Sequence, residues 1–328
     1  MPAALLVLPS WEKRPVPPET DIPISELRSR SRSPRSKRAL FRTRKCIGKG
    51  SFGEVKEVEE LESGLTMAVK SVGPNTGALG FQACQEALKE AKLLVKLRHP
   101  NIVGCRNIFW QDNRLHLALE LVPMTLERFM MDSHPAASDV PMWIRQLFSA
   151  LNACHKVGVV HCDVKPPNIL ILPQASRLKL ADFGSAITTG RARKEYYCSR
   201  WYRPPEVICG EQIARPQQDV WSAGTIFAEL YMHMPLFPGL GLAQQFVHII
   251  AVLGTPNDAE MKALLGLEPQ DPRTFPWNPP VRALRWNDVL ANKASPQAVG
   301  LITSCLTYNP NLRMSAEAMT TALEAKSS

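Results

Sequence analysis

One loop of the sequence groups side chains that could carry out phosphoryl transfer. The run His161-Cys162-Asp163-Val164-Lys165-Pro166-Pro167-Asn168 holds a carboxylate, an ammonium group and an amide, and Asp182-Phe183-Gly184 adds a second carboxylate. A carboxylate can accept the proton of an attacking hydroxyl group, and an ammonium group can neutralise charge on the phosphoryl group in transfer. Carboxylate and amide oxygens are ligands that Mg²⁺ accepts. The residue types therefore fit phosphoryl transfer from a magnesium-bound nucleotide.

A glycine-rich segment earlier in the chain could approach phosphate groups. In Gly48-Lys49-Gly50-Ser51-Phe52-Gly53-Glu54-Val55, the glycines would let backbone amides come close to phosphate oxygens without a Cβ in the way. Alone, this segment is equally compatible with a glycine-rich hairpin turn. Lys70 follows in the run Ala68-Val69-Lys70 and needs a carboxylate to hold it. Glu86 and Glu90 are the candidates, because they lie one turn apart on the same face of a predicted helix.

The pattern of apolar residues predicts an α+β protein. Short alternating segments over residues 41–48, 55–61 and 66–72 predict antiparallel strands, and residues 80–97 have apolar positions at helical spacing. Two more strand-like runs follow at 102–110 and 115–121. Helical patterns then begin at 126–131 and 141–156, so a boundary between two lobes is predicted near Val122.

Composition predicts a folded, soluble, intracellular protein that is located in the cytoplasm, the nucleus or both. The 328 residues are 45% apolar, which is enough for two lobes. The eight cysteines form no C-x-x-C pair and no metal-ligand spacing with histidine, which argues against a zinc site or a disulfide framework. No apolar run approaches the length that spans a bilayer, so no membrane association is expected.

Most of the net charge lies in an N-terminal segment. Residues 1–45 contain eleven Lys/Arg and four Asp/Glu, giving +7 of the total of +9. Residues 1–38 are rich in Arg, Ser and Pro, and we predict that they are disordered. The segment either serves nuclear import, RNA proximity or phosphorylation control, or is only a solvated extension; nucleic acid would be bound only through it.

The motifs together resemble those of eukaryotic protein kinases, over residues 41–320. The resemblance implies a bilobal kinase domain over residues 39–325. Its lobe at 39–121 would be a small antiparallel sheet with one helix, and its lobe at 124–325 would be larger and mainly helical. ATP and Mg²⁺ would be the cofactors, and proteins the substrates.

The resemblance also implies a role for each catalytic residue. Lys70 would contact the α- and β-phosphates and be held by Glu90, which falls where the kinase helix glutamate falls. Asp163 would accept or orient the proton of the substrate hydroxyl group, and Lys165 would neutralise the transferred phosphoryl group.

The family pattern assigns further residues to the metal and the nucleotide. Asn168 and Asp182 would hold Mg²⁺. The residues implied around the nucleotide are Ile47, Gly48, Gly50, Gly53, Val55, Ala68, Lys70, Leu119, Glu120, Val122, Leu170 and Asp182. Asp219 would hold backbone N–H groups of the catalytic loop, and Glu206 would pair with Arg313.

The loop from Thr188 to Glu206 and the runs at 235–239 and 253–256 resemble the group of cyclin-dependent, mitogen-activated and glycogen-synthase kinases, called CMGC. Ser199 occupies a position that favours serine/threonine substrates. Arg203 occupies the position of an arginine that favours proline after the phosphorylated residue. Tyr196 either becomes phosphorylated and pairs with nearby arginines or only packs against aromatic neighbours.

Cys162 departs from the family pattern, which usually has arginine between the histidine and the catalytic aspartate. Cysteine cannot bind an activation-loop phosphate as arginine does, so we expect less dependence on phosphothreonine. The alternative is that Cys162 marks a catalytically weak or inactive scaffold with a kinase fold. The sequence leaves open whether a regulatory protein partner is needed.

Overall fold

The computed structural model describes residues 4–7, 41–50, 53–73, 78–111, 114–193, 198–265 and 280–324. The chain divides into two compact units. The first consists of Met1–Arg98 and Val103–Val122, and the second of His99–Ile102 and Pro123–Ser328.

The first unit contains a six-stranded antiparallel sheet and one long helix, α1 (Ala78–Lys96). Its strands are β1 (Ala4–Val7), β2 (Phe41–Gly50), β3 (Gly53–Glu60), β4 (Thr66–Val72), β5 (Cys105–Gln111) and β6 (Arg114–Leu119). They are ordered β1-β5-β6-β4-β3-β2 across the sheet. The strands and the helix predicted for residues 41–121 are therefore present, with ends shifted by a few residues.

The two faces of this sheet bury different side chains, because side chains alternate along each strand. One face buries a cluster of Val58, Met67, Val69, Phe109 and Ala118. The other face buries Val72, Leu115 and Leu117 together with Ala87 and Ala91 of α1. Lys70 lies two residues before Val72 on β4 and therefore shares the face against which α1 packs.

Strand β1 lies within the segment 1–38, for which disorder was predicted. Ala4–Val7 pair with β5, with Ala4 opposite Trp110 and Val7 opposite Asn107. They form a short apolar run, and an exposed edge strand offers backbone N–H and C=O groups to such a run. The rest of the predicted disordered segment lies outside the described residues.

The second unit is mainly helical. Its helices are α2 (Leu126–Asp132), α3 (Val140–Lys156), α4 (Pro205–Ile208), α5 (Pro216–Met232), α6 (Leu242–Leu253), α7 (Asp258–Leu265), α8 (Trp286–Val289), α9 (Pro296–Cys305) and α10 (Ala316–Glu324). Helix α5 lies at the centre, since every residue from Gln218 to Tyr231 is buried. The sheet-rich first unit and the helical second unit confirm the predicted α+β fold class. Among the described residues, none of the helices has both the length and the apolar character needed to cross a membrane.

Short strands in the second unit flank the loops that hold the predicted catalytic and metal-binding residues. β7 (Met124–Thr125), β9 (Ile169–Leu172) and β10 (Arg177–Leu180) form one small sheet, and β8 (Val159–Val160) pairs with β11 (Ile187–Thr188). The loop with Asp163 and Asn168 connects β8 to β9, and Asp182 follows β10 directly.

The expected pair of Glu206 and Arg313 joins α4 to the segment before α10. The guanidinium group donates two parallel bonds of 2.6 and 2.7 Å to the carboxylate, and both residues are buried. The same guanidinium carbon lies 4.8 Å from the ring centroid of Trp221 in α5. This bidentate pair therefore ties both segments to the central helix.

The eight cysteines are free thiols that differ in exposure. Cys46 is exposed; the thiols of Cys84, Cys105 and Cys209 are half-buried, and those of Cys154, Cys162, Cys198 and Cys305 are buried. Burial raises the pKa of Cys105 and of Cys305 to about 12. Thiols held in the protonated form in this way react slowly.

Gly224 allows α5 to approach α9 closely. A Cβ at this position would lie 2.5 Å from Cβ of Cys305, an atom fixed to the backbone. Gly300 in α9 is a helical glycine with no atom within 4 Å of such a Cβ.

We predict opposite effects of alanine at these two glycines. Gly224→Ala should lower the free energy of unfolding by about 1–3 kcal/mol because α5 and α9 must move apart. Gly300→Ala should raise it by about 0.5–1 kcal/mol because alanine is the better helix former. Urea unfolding of both variants measures the difference, and equal midpoints would contradict the packing argument.

Candidate active site

In the first unit, Lys70 of β4 is paired with Glu90 of α1. The ammonium nitrogen lies 2.7 Å from Oε2 of Glu90, whose side chain is only 3% exposed. Glu90 lies between Ala87 and Ala91 on the face of α1 that packs on the sheet. Of the two glutamates that the sequence offered, the structure thus pairs Glu90 with the lysine.

The glycine-rich segment is the hairpin between β2 and β3. Gly48 lies opposite Val55 and Gly50 opposite Gly53, while residues 51–52 lie outside the described residues. Gly53 has φ +144°, and a Cβ there would lie 2.2 Å from the carbonyl oxygen of Ser71. Glycine is therefore required at Gly53 to keep β3 against β4.

Four residues assigned to the nucleotide share one face of the sheet. Val55 lies opposite Lys70, and Ala68 lies opposite Leu119. Ala68 and Lys70 are two residues apart on β4, so their side chains point to the same side. The sequence assignment therefore selects a continuous patch of the sheet.

The remaining assigned residues of this unit lie at its borders. Ile47 is 43% exposed and stands at an irregularity in the pairing of β2 with β3. The backbone N–H of Glu120 donates to the carbonyl of Gly104 at 2.8 Å, which fixes the chain after β6. Val122 is buried.

In the second unit, Asp163 is the centre of a hydrogen-bond network. Its Oδ1 accepts from the backbone N–H and the hydroxyl group of Ser199 at 3.0 and 2.9 Å. Its Oδ2 lies 2.8 Å from the ammonium nitrogen of Lys165, which also donates to Oγ of Ser199 at 2.8 Å. The carboxylate is thus held from two segments that are far apart in sequence.

This network keeps Asp163 ionised. Burial alone would raise the pKa of the carboxyl group, but the hydrogen bond and charge of Lys165 and the hydroxyl group of Ser199 together hold its pKa below the usual value. A carboxylate that stays deprotonated at neutral pH can accept a proton from a hydroxyl group.

Asn168 is oriented so that its amide oxygen can face a cation. Its Nδ2 donates to the backbone carbonyl of Asp163 at 2.8 Å and to Oδ2 of Asp163 at 3.1 Å. Since the NH₂ group is used in this way, the amide oxygen is the atom that can bind a metal. Together with the carboxylate of Asp182, it supplies the hard oxygen ligands that Mg²⁺ requires, so these residues fit that ion.

Asp182 is exposed and has a left-handed backbone with φ +59°. The next residue, Phe183, is 1% exposed and its ring lies 4.8 Å from the ring of His161. The N–H of Ala181 donates to the carbonyl of Asn168 at 2.9 Å, which brings the backbone before Asp182 to the loop that holds Asn168. Leu170, which was assigned to the nucleotide, lies two residues after Asn168 on β9. It is opposite Thr125 of β7 and is half-buried.

Asp219 of α5 anchors the loop that holds Asp163, as the family pattern implied. Its two carboxylate oxygens accept from the backbone N–H groups of His161 and Cys162 at 2.8 and 2.9 Å. Cys162 has φ +64°, a conformation that costs energy for a residue other than glycine. The buried carboxylate stabilises this conformation immediately before Asp163.

His161 connects this loop to the segment before Asp182. Nδ1 accepts from the N–H of Asp163 at 3.3 Å, and Nε2 lies 3.0 Å from the carbonyl oxygen of Ala181. Since a backbone N–H can only donate and a carbonyl can only accept, the ring proton belongs on Nε2.

Sequence patterns did not single out Arg193, which belongs to the segment that follows Asp182. Its guanidinium group donates to the backbone carbonyl of Ser185. No motif marks this residue; the only signal is an excess of basic residues over 191–194. Tyr196, which is predicted either to be phosphorylated or to pack against aromatic neighbours, lies outside the described residues.

Comparison with known protein families matches residues 41–323 to the protein kinase domain. The match covers both the unit with the Lys70–Glu90 pair and the unit with the Asp163 network. The chain belongs to the protein kinase family and is a phosphotransferase of that kind.

Proposed function

We propose that the chain is an active serine/threonine kinase that transfers the γ-phosphoryl group of ATP to protein hydroxyl groups. The observation that carries this proposal is the network in which Asp163, Lys165 and Ser199 are mutually bonded while Asn168 is oriented by Asp163. Such an arrangement presents a base, a cation and a metal ligand together, which positions reactants and stabilises charge.

The nucleotide and the metal would be held by separate groups of residues. Lys70, kept in place by Glu90, would contact the α- and β-phosphates, and the patch of Val55, Ala68 and Leu119 would face the purine. Asn168 and Asp182 would hold Mg²⁺, which supplies charge neutralisation at the phosphates. Two protein ligands suit an ion whose remaining coordination positions are filled by phosphate oxygens and water.

Ser199 supports serine and threonine as acceptors. Its hydroxyl group donates to Asp163 and accepts from Lys165, so the segment that would lie beside the substrate is bonded directly to the base. This close connection suits an acceptor hydroxyl on a short side chain.

Arg203 supports proline after the acceptor residue. Its Nε and Nη2 donate to the backbone carbonyl of Cys198 at 3.2 and 2.7 Å, so that carbonyl is occupied by the guanidinium group. If the substrate residue after the acceptor has a backbone N–H, this N–H cannot donate to the occupied carbonyl and stays unpaired. Proline has no N–H and avoids this cost. The same arginine supports the proposed membership of the CMGC group.

Removal of the base should abolish turnover. We expect Asp163→Asn to lower kcat by about 10²–10⁴-fold, because the amide cannot accept the hydroxyl proton, while ATP affinity changes little. Turnover is measured as phosphate incorporation into a protein substrate. Asp288→Asn on exposed α8 serves as the control and should keep wild-type activity. Wild-type protein with no more turnover than Asp163→Asn would instead support the inactive scaffold.

The two glutamates of α1 should differ in their importance. Glu90→Gln should lower kcat/KM about tenfold or more, because a buried bond between charged groups is lost. Glu86→Gln, one turn away on the same helix, should leave kcat/KM within about twofold. Steady-state kinetics with varied ATP tests this, and equal losses in both variants would contradict the pairing.

The preference for proline can be tested with matched peptides. A peptide with proline after the acceptor serine should be phosphorylated with a kcat/KM about tenfold above that of the alanine peptide. A third peptide with N-methylalanine at that position lacks the N–H but has no ring, and we expect it to approach the proline peptide. If N-methylalanine behaves like alanine, the unpaired N–H is not the cause of the preference.

A further inference from the structure

Arg193 bonds to the turn that follows the metal-binding aspartate. Its Nη1 lies 2.5 Å from the backbone oxygen of Ser185, the last residue of the 3-10 turn Phe183–Ser185. Asp182 immediately precedes this turn and has a left-handed backbone, a conformation that persists only where neighbouring groups hold it.

The backbone around Arg193 is itself fixed. The N–H of Gly190 donates to the carbonyl of Ala214 at 2.9 Å, and the N–H of Ala214 donates to the carbonyl of Arg191 at 3.0 Å. The N–H of Arg193 donates to the carbonyl of Gln212 at 3.0 Å. The side chain of Arg193 therefore connects the turn after Asp182 to a pairing that ends just before α5.

Cys162 lies beside the guanidinium group of Arg193. Burial raises the pKa of the Cys162 thiol, and the Arg193 cation acts in the opposite direction through a hydrogen bond and its charge. The thiol is completely buried and packs with Val160, Cys198 and Ala214. A small neutral side chain at this position leaves room for the guanidinium group and adds no like charge next to it.

We propose that Arg193 is a positioning residue. Its cationic side chain holds the Phe183–Ser185 turn, and thereby Asp182, without a phosphate group. Cys162 is the small neutral residue that leaves room for this cation. The inference rests on the proposed kinase activity, since Asp182 matters there as a metal ligand. The protein is then active without phosphorylation of the segment.

The first experiment compares variants of two arginines in the same segment. Arg193→Met should lower kcat/KM about tenfold and raise the Mg²⁺ concentration needed for half-maximal rate, because a charge-assisted bond near the metal ligand is lost. Arg193→Lys keeps a cationic donor and should recover part of the loss. Arg191→Met, at an exposed position two residues earlier, should behave as wild type. A loss in kcat/KM with unchanged Mg²⁺ dependence and no recovery by lysine would overturn the proposal.

A second experiment places a like charge beside Arg193. Cys162→Arg should lower activity at least tenfold below that of Cys162→Ala, because two guanidinium groups then repel each other whereas alanine is also small and neutral. Adding Arg193→Met to Cys162→Arg should restore part of the activity, a coupling expected only of interacting residues. If the loss of activity in the double variant equals the combined losses of the two single variants, the two positions do not interact and the proposal is wrong.

Two measurements separate this proposal from the proposed function. Phosphatase-treated wild-type protein should keep its activity, and loss of activity would overturn the built-in cation. Hydrogen exchange at the amides of Ala186, Arg193 and Ala214 does not depend on turnover, so it tests the positioning even in a protein without kinase activity. Exchange in Arg193→Met should rise at these amides and not throughout the chain; an unchanged pattern, or a uniform rise, would overturn the proposal.

Discussion

The carboxylate of Asp219 is the constraint on which the catalytic loop depends. It lies in a helix buried along almost its whole length and accepts from two consecutive backbone N–H groups. Consecutive amides can point at one carboxylate only if the chain turns sharply between them, and Cys162 makes that turn with a left-handed backbone. The position of Asp163 is therefore set from the core of the second unit rather than by the loop itself.

The same device recurs at three points around the site. Cys162, Asp182 and Cys198 are all residues other than glycine with positive φ, and each such conformation costs about 1–3 kcal/mol. A charged side chain holds the backbone at or near each: Asp219 bonds the N–H of Cys162, Arg203 bonds the carbonyl of Cys198, and Arg193 bonds that of Ser185. In the segments that hold the predicted site residues, each strained backbone position is therefore accompanied by a charged side chain that stabilises it.

Much of this arrangement could be predicted from the sequence. The remaining features could not be predicted, for physical reasons. The residues of the catalytic loop and the choice of Glu90 followed from motifs, because their spacing is fixed by the reaction. Strands β2 to β6 of the first unit followed from strand-like runs of seven or more residues, whereas β1, with four residues, was not predicted. Strands β7 to β11 contain two to four residues each, too few to show a period. The need for glycine at Gly224 depends on Cys305, a contact that no local pattern encodes.

The uneven exposure of the cysteines has a practical consequence. Seven of the eight thiols are at least partly buried, whereas Cys46 is exposed on the strand that leads into the glycine-rich hairpin. An electrophilic fluorophore would attach there first, because accessibility governs thiol labelling. A dye at Cys46 would sit two residues from Gly48, and its emission would test whether a nucleotide binds beside this hairpin as proposed, without engineering of the other thiols.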